Sequence, residues 1–352
     1  MGLKGKITLQ DIGRKLGLST TTISLALRNH PRISEVTKIR VRKMIEQMKY
    51  EPDRVARALV MGTSNLIGVI VPNSSDPYYS EVFKGIEDAA RALGYHVLLS
   101  NGSYDMDGYA LRVKEMTSLR VDAIIAAPPF TREKPKLEGF WRELQESRFP
   151  LILVNRHLNP PLFHQVSADY GAGVRMTVEM LASIGHRRVA YISGEPAVLP
   201  IRQRLAAFQR CARKHGLANE PALVQTGALT LNGGYDACSR LWMLNRKKPT
   251  AIVTFSDTVG VGALRFLREQ NVDIPGQVSL ASFDGTVMAE FTQPKLTTVS
   301  TPMYDVGKQA FELVSGAIEG KYHSPQNLLL PVKLLIRQSV GPPAADRSGA
   351  QG

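Results

Sequence analysis

The chain has 352 residues, 43% of them apolar, which suits two or three buried cores and excludes a small stapled domain. No run reaches about 18 uninterrupted apolar residues, and the N-terminus has no apolar leader, so neither a membrane span nor a secretory signal is expected. The net charge of +13 is uneven: residues 1–60 hold 13 Lys/Arg against 5 Asp/Glu, a net +8 in one sixth of the chain, which is the footprint of a polyanion binder.

Cys211 and Cys238 are the two cysteines. They make no disulfide framework and no zinc spacing, so a reducing cytoplasm is expected, with no metal and no cofactor.

In chain order, Leu9, Ile12 and Leu16 repeat at i, i+3 and i+7, one face of a helix. Thr8 is placed to cap it, Asp11 complements its dipole, and Gly17 sits where a left-handed C-cap is needed. Ser19 caps a second helix that turns Ile23, Ala26 and Leu27 inward and Thr20, Thr21, Ser24, Leu25 and Arg28 outward. Two short helices around a glycine turn make a helix-turn-helix. Short outward hydroxyls permit close approach to a major groove, where Thr can bond a base edge or touch a thymine methyl. An ordinary helical hairpin with exposed hydroxyls is the alternative.

After a Ser34 cap, Ile33, Val36, Ile39, Val41, Met44, Ile45 and Met48 form an apolar stripe that closes a three-helix core. Lys38, Arg40, Arg42, Lys43 and Lys49 surround it, either at a DNA backbone or as a solvated face. "EPDRVARALVMG" (51–62) then reads as a helix of about eight residues, too short to stand alone in water.

From residue 63 apolar strands alternate with amphipathic helices: "LIGVIVP", "HVLLSNG", "VDAIIAAP", "PLILVNR", "RVAYISG", "ALVQTG", "TAIVTFS" and "VSLASFD" are the strands. Alternation of this kind gives parallel sheets covered on both faces, and the number of units predicts two doubly wound subdomains with a ligand cleft at the strands' carboxyl ends. Gly260 and Gly262 follow a strand, but Arg265 stands where a dinucleotide fingerprint needs its third glycine. No Walker loop, nucleophile elbow or metal cluster is present, so an enzyme is not expected.

"ITLQDIGRKLGLSTTTISLALRNHPRISEVTKIRV" followed by "YEPDRVARALVMGTSNLIGVIVP" resembles the lac repressor (LacI/GalR) family of bacterial transcription regulators, and the likeness runs through about residue 340. The resemblance implies a helix-turn-helix head (1–50), a hinge helix (51–62) and a periplasmic-binding-protein-like body (63–340). It places the N-subdomain at about 63–165 and 297–326, the C-subdomain at about 166–296 and 327–340, and a disordered tail at 341–352. Chain crossings are expected near 165, 296 and 326.

The implied partners are a palindromic double-stranded DNA operator, a second copy of the chain and a small-molecule effector, with no membrane. A homodimer is expected rather than a tetramer, because the tail has no leucine heptad. The residues expected at DNA are Thr8, Ser19, Thr20, Thr21, Thr22, Ser24, Leu25, Asn29 and Arg32, with Ala56, Arg57 and the wedging Leu59 from the hinge. Those expected at the effector are Asp76, Tyr78, Tyr79, Asn155, Arg204, Asp257 and Asp284.

Val198 stands where purine-binding members carry an arginine, and Leu229 where they carry a stacking phenylalanine. A sugar or similar small polar metabolite is therefore expected over a purine. A solute-binding protein for a transporter is the alternative of another class, and it would need a signal peptide in place of residues 1–62.

Overall fold

The computed structural model describes residues 7–27, 29–48, 63–102, 106–128, 134–155, 161–196, 198–218 and 220–344. The expected hinge, with Ala56, Arg57 and Leu59, lies outside the described residues, as do Arg28 and residues 345–352 of the expected tail. The chain divides into two units, residues 1–65 and 66–352.

The first unit is three helices: α1 (Leu9–Leu16), α2 (Thr20–Leu27) and α3 (Glu35–Met48). Thr8 and Asp11 form a reciprocal capping box at the start of α1, and Gly17 ends it at φ +67°, a backbone angle that costs glycine nothing. Ile12, Ile23, Ala26 and Val41 are the buried centre, with Leu9, Leu16, Ile33, Met44, Ile45 and Met48 packed around them.

The apolar stripe expected on α3 is too wide. Val36 is 70% and Ile39 60% exposed, and Leu27 of α2 also faces solvent. The phase of α3 explains this. Val41, Ile45 and Met48 follow one another at four and three residues, whereas 36 and 39 lie five and two residues before Val41, on the opposite face. The position that phase turns inward is Lys38, which is buried and bonds Glu35 at 2.6 Å.

The second unit contains two six-stranded sheets. The first is built from β1 (Leu66–Val71), β2 (His96–Asn101), β3 (Ala123–Ala126), β4 (Leu151–Val154), β5 (His164–Ala168) and β11 (Asn327–Leu330). Its order is β11-β5-β4-β3-β1-β2, all parallel. The second is built from β6 (Val189–Ser193), β7 (Val224–Thr226), β8 (Ala251–Thr254), β9 (Ser279–Asp284), β10 (Thr297–Ser300) and β12 (Lys333–Leu335), in the order β12-β10-β9-β8-β6-β7. In this sheet β12 alone runs antiparallel.

Helices cover both sheets: α4 (Pro77–Ala92), α5 (Met106–Ser118), α6 (Lys134–Glu146) and α7 (Tyr170–Ser183) precede β6 in the chain. After it come α8 (Leu199–Lys214), α9 (Leu231–Leu244), α10 (Asp257–Glu269), α11 (Met288–Phe291) and α12 (Met303–Ile318). The central strands β3, β4 and β8 are buried along their whole length and β1 beyond Leu66, as continuous apolar runs demand. α4 and α12 pack so closely that a Cβ on Gly307 would lie 1.9 Å from the Val82 carbonyl oxygen, and one on Gly85 2.0 Å from that of Tyr304.

The chain passes between the sheets three times, at 169, 301–302 and 331–332, each a few residues later than expected. Consequently β11 belongs to the first subdomain and β10 to the second, the reverse of the expected assignment, and β5, which the expected boundary at about 165 divided, lies wholly in the first. Each strand is completed in its own sheet before the chain leaves, because stopping mid-strand would strand unpaired backbone groups. The expected tail also starts too early: Gly341 accepts from Ser279 Oγ at 2.9 Å, and its N–H donates to the same hydroxyl at 3.1 Å.

Candidate functional site

Two sites emerge, one on each unit. On the head, Thr20 and Thr21 are exposed at the start of α2, and Ser24 and Leu25 follow one turn later, half-buried. Ser19 accepts from the Thr22 N–H at 3.1 Å, and the two hydroxyls are 2.8 Å apart, so both are engaged in the cap. Thr8 is likewise held: its hydroxyl meets the Asp11 carboxylate at 2.7 Å, which keeps that carboxyl below its usual range. Asn29, at φ +57°, takes a 3.4 Å bond from Arg42, and Arg32 is exposed beside it. Among the described residues, the α2 hydroxyls that make no hydrogen bond are thus those of Thr20, Thr21 and Ser24, of which Thr20 and Thr21 are the exposed ones.

On the body, the carboxyl ends of the strands of both sheets surround a cleft of about 470 Å³. Most of the expected residues enter from loops or helix starts just beyond a strand end, where doubly wound sheets bind ligands, and Arg204 enters from within α8. Asp76 caps α4 by accepting from the Tyr78 N–H at 3.0 Å, and the Tyr78 and Tyr79 rings meet edge-on at 5.1 Å. Asn155 follows β4 at φ +55° and donates to the Tyr79 hydroxyl at 3.3 Å.

Arg204 of α8 is only 6% exposed. Its guanidinium lies between the rings of Tyr170 and Phe255, 3.8 and 3.9 Å from their centroids, and Nη1 donates to the Phe255 carbonyl at 2.7 Å. Its Nε has no hydrogen-bond partner among the described residues. Asp284 ends β9 and reaches the cleft 8% exposed. Burial raises its carboxyl well above the ordinary range, the neighbouring Asp257 raises it further, and Arg204 opposes both. Burial also raises Asp76, and pushes the Tyr191 hydroxyl behind Arg204 up to about 12.

Six of the seven expected effector residues line this cleft. Asp257 does not. It is wholly buried, with its carboxylate turned back beneath the floor, and Ser256, the N-cap of α10, lines the cleft in its place. The residue-by-residue reading missed Tyr170, Phe255 and Ile201, although the rule that strand ends carry the site would have found the first two. Val198, Ile201, Leu229 and Phe255 cluster into one apolar wall, so both departures noted in the sequence face the cleft. No group of three potential metal ligands occurs among the described residues.

Residues 8–53 match the model of the bacterial regulatory proteins of the lacI family, and residues 178–340 that of a periplasmic binding protein-like domain. The chain thus carries the lacI-type DNA-binding domain ahead of a periplasmic binding protein-like domain, and it is similar to LacI/GalR regulators along its length.

The likeness is end to end. The transcriptional regulator DegA of Bacillus subtilis (strain 168) is 28% identical over 339 residues, 96% of this chain and 99% of the relative. Catabolite control protein A of Priestia megaterium is 27% identical over 95% of this chain and 99% of the relative. Among solved structures, the lac repressor dimer bound to operator and the anti-inducer ONPF superposes with a TM-score of 0.86 at 22% identity, covering 96% of this chain and 99% of that one. A CelR–cellobiose complex does so at 0.71 and 24%, covering 95% and 100%. These two share the fold, and the relatives in the family are regulators rather than enzymes. No described helix is long and apolar enough to cross a membrane.

Proposed function

We propose that this protein is a homodimeric repressor that binds a two-fold symmetric operator and changes its affinity when an uncharged, hydroxyl-rich effector enters the body's cleft. The observation that carries the effector class is the pairing of Arg204 with Asp284. A buried guanidinium nitrogen without a partner needs an acceptor, and buried carboxylates need donors. A hydroxyl supplies both. A phosphate or carboxylate would satisfy Arg204 but face Asp76 and Asp284, and an ammonium would face Arg204. The apolar wall of Val198, Ile201, Leu229 and Phe255 suits the C–H face of a sugar ring, and at Leu229 it offers an aliphatic side chain in place of a stacking phenylalanine. The lac repressor structure with its anti-inducer and the CelR–cellobiose complex support a small-molecule cleft in proteins of this shape.

On the head, Thr20 and Thr21 read base edges, Leu25 meets a thymine methyl, and Arg32 and Asn29 flank them at the backbone. Ala56, Arg57 and Leu59 serve the minor groove, Leu59 as the wedge. Effector in the cleft changes the angle between subdomains and thereby whether two hinges order together on DNA, a coupling that is reciprocal. The protein carries no catalytic activity and works in the cytoplasm at the nucleoid.

A thermal-shift comparison of cellobiose, a hexose phosphate and a purine nucleoside tests the effector class. Saturation at about 100 times Kd adds about 2.7 kcal/mol. Uncharged glycosides should raise the melting temperature. Stabilisation by the phosphate or the nucleoside alone would overturn the assignment.

A further inference from the structure

Asp257 is the first residue of α10 and has no contact with the cleft, yet it is the most heavily bonded carboxylate among the described residues. One oxygen accepts from Ser282 Oγ of β9 and, at 2.7 Å, from Thr298 Oγ1 of β10. The other accepts from the Thr286 N–H at 2.6 Å and its hydroxyl at 2.9 Å. Its own backbone N–H faces the Asp284 carboxylate.

The segment it grips is unusual. Asp284 sits at φ +107°, sparsely populated for a residue with a side chain, and Gly285 follows at φ +75° with Ser300 so near that a Cβ would lie 2.6 Å from its Cα. The Asp284 carbonyl accepts from Thr301, on the second crossing between subdomains, at 3.0 Å. Immediately beyond the turn comes α11, whose Phe291 is 84% exposed. A strained turn persists only where its surroundings over-determine it; here Thr301 holds the Asp284 carbonyl, Thr298 Oγ1 accepts from the Gly285 N–H at 3.2 Å, and Asp257 grips both Thr286 and Thr298.

We propose that Asp257 is the positioning residue of the cleft: it fixes the Asp284 carboxylate from behind and anchors the 284–287 turn that joins the cleft floor to α11. This role rests on the effector reading of the cleft, but its test uses neither effector nor DNA, so the two can fail separately. The groups facing Asp284 are Asp257 from α10, Arg204 from α8, Asp76, Tyr78 and Tyr79 from the start of α4, Tyr170 from α7 and Tyr191 from β6. Of these, Asp257 and Asp76 raise its carboxyl pKa and Arg204 lowers it.

The test uses the full-length chain and the variants Asp257→Asn, Thr286→Val and Thr286→Ser. Amide exchange over 284–291 is followed by mass spectrometry, and the Asp284 carboxyl by carbon NMR titration, assigned with Asp284→Asn. Asp257→Asn should speed exchange over 284–291 about five-fold or more, the effect of one net hydrogen bond, and move the Asp284 titration to lower pH because a like charge is gone. Thr286→Val should speed the same exchange and leave the titration in place, and Thr286→Ser should behave as the parent. If Asp257→Asn does not fold, Thr286→Val against Thr286→Ser decides, and equal exchange in those two overturns the role. Unchanged exchange and titration in Asp257→Asn would also overturn it. So would loosening of β6 and β8 as large as that of 284–291.

Discussion

Replacing Arg204 with Ala removes the cleft's buried cation. The Phe255 carbonyl loses its 2.7 Å donor, about 1–3 kcal/mol if nothing replaces it. Two ring contacts at 3.8 and 3.9 Å go with it, about 0.5–1 kcal/mol each. Against this, removing the guanidinium relieves the cost of keeping it out of water, several kcal/mol for a bare ion. The net loss should be about 2 kcal/mol, lowering the body's melting temperature by about 4–8 °C.

The loss must depend on pH. Asp284 is raised by burial and by Asp257, and Arg204 is the charge that holds it down, so the variant raises it further. A carboxyl raised in the folded state contributes stability below its unfolded pKa and loses that contribution as pH rises through its folded pKa. The Arg204→Ala penalty should therefore shrink in mild acid and grow toward alkaline pH, read by calorimetry from pH 5 to 9. Melting within a degree of the parent at every pH would refute the view that Arg204 compensates a buried carboxylate.

Thr8→Ala breaks the capping box and should cost the head about 1 kcal/mol, seen as an earlier first transition in a circular-dichroism melt. Gly307→Val forces a side chain against the Val82 carbonyl and should destabilise the body by about 3 kcal/mol or more in urea unfolding, while leaving the head's transition unmoved. His186 is buried against Thr250, Ser279 and Gly341, and burial lowers its pKa below 6.5. Its contribution is complete above the unfolded value and lost as pH falls through the folded one. His186→Gln should accordingly flatten the body's loss of stability below about pH 6, and an unchanged acid limb would contradict it.

The alternation of apolar runs and helices placed both sheets, because a strand buried on two faces has no polar positions to disguise it. The head's caps were equally legible: Thr8, Gly17 and Ser19 act within four residues of themselves. What could not be read locally was phase and destination. Val36 and Ile39 looked like core because hydrophobicity was counted without fixing the angle that Val41 sets. β11 went to the wrong subdomain because its partner β5 lies far back in the chain, with Leu328 opposite Val166. Asp257 shares its "SFD"-like setting with Asp284, and only the hydroxyls of Ser282, Thr286 and Thr298, distant in sequence, decide that one faces the cleft and the other the floor beneath it.

Selection of duplexes from a random pool by the purified full-length protein, repeated with and without cellobiose and a panel of uncharged glycosides, tests the central claim most directly. Two-fold symmetric sites should be enriched, and at least one glycoside should change their retention. Recovery of no symmetric site under any condition would contradict an effector-controlled, dimeric operator binder.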